Sequence, residues 1–256
     1  MNRFLKWVKV LFWAGLGAMV ILSVITAIAY EQYHFPTQTE IQDPTNISTE
    51  YSRGYQKTIL KSRMSSVLTI SGDILSGMVA TQSATYFVAN DTPYIITTAH
   101  GILGPCFLMV VSHEEETIGC TDYMIVDREA DYAIIKIEDK FFNRTPIKIP
   151  EDLPLGREWK RSYSILSKII YTGYPNMVGP LTLKGDVVGY ADGELVYIFS
   201  HAYSGSSGSG VFSTDGKYIG MIMAIDVGQN DLGVDVLENI VIVTPSFKID
   251  WAVILD

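Results

Sequence analysis

The sequence predicts an all-β domain preceded by one apolar helix. Three observations predict it. From about residue 57 the chain breaks into short runs of β-branched and aromatic residues separated by turn residues. Those runs do not alternate with helical patterns, which argues against a parallel βαβ sheet and for an antiparallel barrel or sandwich. The one long apolar stretch, Val10 to Tyr30, lies at the amino terminus, outside that series. Hydrophobic residues make up 48% of the 256, enough for a proper core. We find no internal repeat and no low-complexity tract.

Taken in order, residues 1–9 form a basic flank carrying Arg3, Lys6 and Lys9. Residues 10–30 hold no charge, and as a helix they would span about 31 Å, the thickness of a bilayer core. The basic side faces the cytoplasm, so this segment predicts a signal anchor with the remainder on the extracytoplasmic side. Ala27-Ile28-Ala29 also has the small-x-small pattern of a signal-peptide cleavage site, which would give a secreted product instead. The apolar stretch exceeds the usual signal core of about 7–15 residues, and this favours the anchor. Residues 31–56 are polar and read as a tether. Residues 57–256 read as the folded domain.

Within that domain, strands are predicted over 66–70, 84–89, 94–98, 107–112, 117–126 and 132–137. A second set follows at 168–173, 181–190, 195–200, 210–213, 218–225 and 239–243. Asn90-Asp91-Thr92-Pro93 is a turn between two of them. Near the end, Thr244 can cap a short helix with Pro245 at its first position.

The formal charge is −9, and the body without its three amino-terminal cations is more acidic still. Such a body repels phosphate backbones, so no nucleic-acid partner is expected. The two cysteines, Cys106 and Cys120, lie on what reads as a hairpin. A regular register would not set them opposite each other, and the sequence leaves their pairing open. Two separated cysteines and scattered histidines give no zinc cluster, so neither a metal nor a cofactor is expected.

Chemistry concentrates in three places. In Gly205-Ser206-Ser207-Gly208-Ser209-Gly210, Ser207 stands between glycines on a tight turn, where its hydroxyl is exposed and backbone N–H groups converge. His100 closes the run Tyr94-Ile95-Ile96-Thr97-Thr98-Ala99 as a candidate base. Asp131 lies between them in Ala130-Asp131-Tyr132-Ala133. Each piece alone is weak, since Gly/Ser-rich loops are usually plain turns and a lone histidine is usually structural. The three together, in the order His, Asp, Ser and each beside a strand, match the chain order of the chymotrypsin-type triad. Asp122 and Asp127 compete with Asp131 but look like hairpin and turn residues, and Ser209 is the rival to Ser207. His34 and His113 read as solvated tether and loop-tip residues, and Glu114-Glu115-Glu116 as a charged tip.

With these residues in place the chain resembles the trypsin-like peptidase superfamily, most of all the protease domain of the Deg/Htr group. Tyr94–Gly101 resembles the strand ending in the catalytic histidine, and Val126–Ile137 the stretch around the aspartate. Tyr171–Val188 resembles the group's Gly-Asn-Pro turn and following strand, with Tyr174 where asparagine is usual. Gly205–Ile225 resembles the nucleophile loop and the hairpin behind it. Ser206 replaces the usual polar residue and Ser209-Gly210 replace Gly-Pro; a serine at that place also occurs in bacterial glutamyl endopeptidases.

The resemblance implies two six-stranded β-barrels meeting near residues 145–165, with a short carboxy-terminal helix. It implies Ser207 as nucleophile, His100 as base and then acid, Asp131 as its orienting partner, and the N–H groups of Gly205 and Ser207 as the oxyanion hole. It places His201 at the base of a specificity pocket, with Ile222, Met223 and Ala224 along the substrate strand. No PDZ-like module is expected before the end at Asp256. The reading that follows is a membrane-tethered serine endopeptidase acting on polypeptides. The alternatives are a trypsin-fold binding or scaffolding module with little hydrolysis, and an esterase using the same machinery. Substrate and oligomeric state are not legible.

Overall fold

A computed structural model describes residues 2–33, 43–191, 194–230 and 233–255. Residues 34–42 of the expected tether, His34 among them, lie outside the described residues. The chain divides into two units, Met1–Asn46 and Ile47–Asp256.

In the first unit, the uncharged stretch forms helix α1, Asn2–Tyr33. Its side chains are described at Trp7 and over 12–26, where the large apolar ones, Phe12 to Ile25, are exposed. Among the described residues no helix is long and apolar enough to cross a membrane. The contiguous part of α1 with described side chains is itself shorter than the roughly 20 residues a span needs.

The second unit opens with helix α2, Arg53–Ser65, capped by Ser52 Oγ, which accepts the Tyr55 N–H at 3.3 Å. No sequence signal announced this helix, because the face it buries is mostly polar: Thr58, Ser62 and Ser65 beside Ile59. Ser62 Oγ and Thr172 Oγ1 are 2.8 Å apart, and Arg63 donates to Thr182 Oγ1 at 3.0 Å, which ties α2 to the second barrel.

Among the described residues, thirteen strands follow. The first barrel is built from β1 (Ser66–Asp73), β2 (Met78–Ala89), β3 (Thr92–Thr97), β4 (Met109–His113), β5 (Glu116–Asp127) and β6 (Tyr132–Ile137). Their order is β1-β4-β5-β6-β3-β2, and the β1–β2 pairing closes the ring. Strand β7, Ile147–Lys148, adds in parallel to β2. A short helix α3, Glu158–Ser162, lies in the connection. The second barrel runs β8 (Lys168–Gly173), β9 (Leu181–Ala191), β10 (Leu195–Phe199), β11 (Gly210–Ser213), β12 (Tyr218–Asn230) and β13 (Gly233–Pro245). It closes in the order β10-β13-β12-β11-β8-β9. The two six-stranded barrels are as the resemblance implied, and the chain passes from one to the other between β7 and β8, over residues 149–167.

Each barrel has its own apolar interior, and a third cluster lies between them. Tyr86, Ile95, Met109, Val111 and Ile135 fill the first, and Ile169, Tyr171, Val211, Ile222 and Val241 fill the second. Phe87, Ile96 and Ile134 from one barrel meet Ile170, Phe212 and Met221 from the other. A cleft between barrels can hold residues from both in fixed geometry only if that seam is packed, and it is.

Two expectations change, and the cysteine pairing left open is settled. Cys106 and Cys120 are bonded, with their Cα atoms 5.3 Å apart. The hairpin register did not exclude the bond, because Cys106 sits in a 3₁₀ turn, Cys106–Leu108, ahead of β4, and β5 has a bulge between Cys120 and Asp122. His113 is buried rather than solvated, since β4 alternates inward at Met109, Val111 and His113. Pro245 ends β13 opposite Gly220 and caps a 3₁₀ turn, Ser246–Lys248, instead of taking the first position of an α-helix. The terminal helix α4, Ala252–Leu255, is shorter and begins where Asp250 Oδ1 accepts the Ala252 N–H at 3.1 Å.

Candidate active site

His100 lies just past the end of β3, with about half of its side chain exposed. The turn between β5 and β6 brings Asp131 to it. Asp127 Oδ1 accepts the N–H groups of Glu129 and Ala130, both at 2.9 Å, and so shapes that turn. Asp131 has φ +53°, a left-handed conformation that Asp tolerates better than most residues. It is buried, and both carboxylate oxygens are directed at one residue. Oδ2 lies 2.7 Å from His100 Nδ1, and Oδ1 accepts the His100 backbone N–H at 2.8 Å. A carboxylate on Nδ1 keeps the proton there and leaves Nε2 as the acceptor, which is the tautomer a general base needs, and Thr98 Oγ1 lies 3.5 Å from that Nε2.

The loop around His100 is braced on several sides. Arg128 donates to Ala99 O at 2.9 Å and to Ile102 O at 3.0 Å, and Gln82 Nε2 donates to Thr98 O at 3.0 Å. Of the competing carboxylates, Asp127 is committed to its own turn.

Ser207 stands on the loop between β10 and β11. Gly205 and Gly208 there have φ of +88° and +86°. A Cβ on Gly208 would run into Ser83 O and Thr97 Oγ1, so this position admits only glycine. Of the loop amides, Ser206 N donates to Tyr203 O, Gly208 N to Ile222 O and Ser209 N to Ser206 O. The N–H groups of Gly205 and Ser207 have no acceptor among the described residues. Two unspent donors flanking a serine are what an oxyanion site requires. Ser206, in the place of the usual polar residue, is buried, and its Oγ accepts the Tyr203 N–H at 3.1 Å.

The structure brings His100 and Asp131 together but leaves Ser207 unjoined to them. Ser207 Oγ donates to Met223 O at 3.0 Å, and no hydrogen bond links it to His100 among the described residues. Ser209 is fully buried, its Oγ without a partner and packed against Gly173. Ser207, by contrast, is partly open.

The expected substrate residues separate. Ile222 is 1% exposed inside the second barrel, and it serves the loop through its backbone: its N–H donates to Ser209 O at 2.9 Å. Met223, next along β12, is half-buried and offers its carbonyl to Ser207. Ala224 pairs with Ile242, and its side chain lies outside the described part. His201 is exposed and lines a groove of about 1210 Å³ with Tyr55, Lys184, Asp186 and Phe199, a lining that includes neither His100 nor Ser207. Among the described residues no group of three His, Cys, Asp or Glu could hold a metal.

Sequence reasoning missed one buried polar pair. His113 Nδ1 and Tyr174 Oη are 2.6 Å apart, which joins β4 to the turn after β8. Burial, reinforced by the Arg144 charge, holds His113 below the ordinary histidine value, while Glu114 and Glu116 pull the other way. Burial pushes the Tyr174 hydroxyl up to about 12. The signal available was Tyr174 itself, standing where asparagine is usual.

No known family profile matches the sequence, and no curated protein is similar to it in sequence. Solved structures are similar in shape. A serine endoprotease from Yersinia pestis superposes with a TM-score of 0.60 at 17% identity, over 80% of this chain and 68% of that one. The HtrA-type protease AlgW with tripeptide gives a TM-score of 0.56 at 18% identity, over 76% of this chain and 60% of that one. The active form of the Rv3671c protease from M. tuberculosis gives a TM-score of 0.56 at 15% identity, over 74% of this chain and 79% of that one. The fold is therefore that of the trypsin-like serine proteases.

Proposed function

We propose that the chain is a serine endopeptidase that cleaves polypeptides through an acyl-enzyme on Ser207. The observation that carries this reading is the double grip of Asp131 on His100, 2.7 Å at Nδ1 and 2.8 Å at the backbone N–H. In the first step His100 Nε2 takes the Ser207 proton as Oγ attacks the substrate carbonyl, and Asp131 stabilises the imidazolium that forms. The oxyanion goes to the N–H groups of Gly205 and Ser207, donors typically worth about 2.7–4 kcal/mol of barrier each. His100 then protonates the leaving amine, and water repeats the sequence to release the acyl group.

The Ser207 bond to Met223 O does not argue strongly against this. Such a bond contributes about 0.5–1.5 kcal/mol net, at most around a tenfold bias against the attacking rotamer. It does favour one second reading, a trypsin-fold binding module in which Ser207 rests permanently on Met223. Membrane tethering belongs to the proposal as well. Its support is the uncharged stretch 10–30, the basic flank before it, and the exposed apolar side chains of α1. His201 and Met223 are kept as specificity candidates.

Fluorophosphonate labelling of the full chain, beside Ser207→Ala, tests the reading. Label mapped to Ser207 and absent from the mutant supports the peptidase, and a peptide-library digest then separates it from an esterase. A folded protein that takes no label moves the binding module to the front.

A further inference from the structure

The orientation of the Gly205 N–H is fixed from outside its own barrel. We propose that Ser83, acting with the backbone amide of Asn176, is a positioning residue that sets the Gly205 N–H as an oxyanion donor. The inference rests on the peptidase reading of Ser207.

Two consecutive peptide planes are pinned. Ser204 O accepts the Asn176 N–H at 2.7 Å. The 204–205 peptide is trans, so the Gly205 N–H must point away from that contact. On the other side, Gly205 O accepts two bonds from Ser83, one from its N–H at 3.0 Å and one from its Oγ at 2.7 Å. The N–H of that second plane, on Ser206, is spent on Tyr203 O at 2.9 Å. With both planes held, Gly205 has no freedom left at φ +88°.

The two clamps are themselves joined. Ser83 Oγ accepts the Tyr174 N–H at 2.8 Å, so one hydroxyl receives a bond from the turn after β8 and gives one to the loop after β10. Ser83 is fully buried on β2, and its carbonyl is fixed by Thr97 Oγ1 at 2.7 Å. The turn that supplies Asn176 is held in shape too, with Asn176 and Met177 both left-handed at φ +50° and +62°. A Cβ on Gly205 would sit 3.0 Å from Asn176 N and Tyr174 O, so turn and loop are in contact. The first barrel thus contributes to the oxyanion donor of the second, through a residue that has no hydrogen bond to Ser207 among the described residues.

The test compares wild type, Ser83→Ala and Ser83→Cys in the full chain. It reads kcat and KM on a peptide, Ser207 labelling rate, the pH midpoint of kcat/KM, and the Gly205 amide resonance. Loss of a whole oxyanion donor lowers kcat about 10²–10³-fold, so a loosened donor is expected to lower it about 10–100-fold. KM should stay within about twofold and the pH midpoint should not move. Ser83→Cys, which keeps a weak donor, should fall between, and it carries the test if the alanine variant does not fold. The Gly205 amide should shift while the His100 ring signals stay. An unchanged Gly205 amide in a folded variant overturns the proposal. So does an unchanged kcat in an active enzyme, or a loss of rate that comes with a raised KM and a moved pH midpoint. If wild type takes no label at Ser207, the peptidase reading fails, and the amide shift still decides whether Ser83 sets Gly205.

Discussion

The two barrels have the same strand number and contribute to the candidate site in opposite ways. The first presents its residues ready-made. Asp131 grips His100 twice, Arg128 and Gln82 brace the loop, and the Cys106–Cys120 bond closes the neighbouring 14-residue separation. The second presents a hydroxyl turned toward its own strand, on a loop whose two glycines hold left-handed conformations. Its geometry depends on contacts from the turn 174–180 and from Ser83 across the seam. The His100 side is preset locally, and the Ser207 side is assembled from distant parts of the chain.

The sharpest way to break this comparison is Ser207→Ala. Peptide turnover should fall about 10⁴–10⁶-fold. The melting temperature should stay within about 2 °C, because the side chain is only half-buried. Retained turnover would place the nucleophile elsewhere. Asp131→Asn comes next, with an expected loss in kcat of about 10⁴-fold. The asparagine carbonyl can still accept the His100 N–H, and its amide then faces Nδ1 and forces the wrong tautomer. Comparable kcat in that variant would mean that the first barrel does not orient the base.

The sequence singled out both of these residues for one reason: each stands beside a strand in a short motif, and the order His, Asp, Ser matches the chain order of the chymotrypsin-type triad. Strand positions were read well wherever the apolar runs were short and bounded by turn residues, as at 132–137 and 210–213. Helix α2 escaped because it buries Thr58, Ser62 and Ser65, whose hydroxyls bond to Thr214 O, Thr172 Oγ1 and Lys61 O and leave no apolar periodicity. Ser83 escaped because nothing local distinguishes a serine within a strand from any other. Its role comes from a partner 122 residues away.

Smaller effects separate the barrels by stability. Replacing Cys106 and Cys120 together by serine should destabilise by about 3 kcal/mol, the loop-closure value for a bridge of this length. Thermal unfolding should then shift down by about 6–12 °C, with turnover per folded molecule kept at low temperature. An equal loss of turnover would mean that the bridge also shapes the site.

The smallest effect concerns acid. His113 has a folded value below the ordinary 6.5, so it protonates more readily in the unfolded chain. Its contribution is therefore complete above about pH 6.5 and is lost as pH falls toward the folded value. Melting temperature should drop between pH 7.5 and 5.5, and His113→Gln should reduce that drop by about 2–4 °C. A mutant with the same acid slope would show that His113 does not contribute.

The bond from Ser83 to Gly205 also sets an order of events during synthesis. Chains emerge amino terminus first, and compact parts fold as they become available. All six strands of the first barrel and both cysteines precede residue 138, so that half can close and lock while the rest is still being made. The Gly205 loop cannot take its final shape until β11 to β13 have closed the second barrel and brought it against Ser83. A half-finished chain therefore holds His100 paired with Asp131 but no finished Ser207 loop, and the last strands made complete the candidate site.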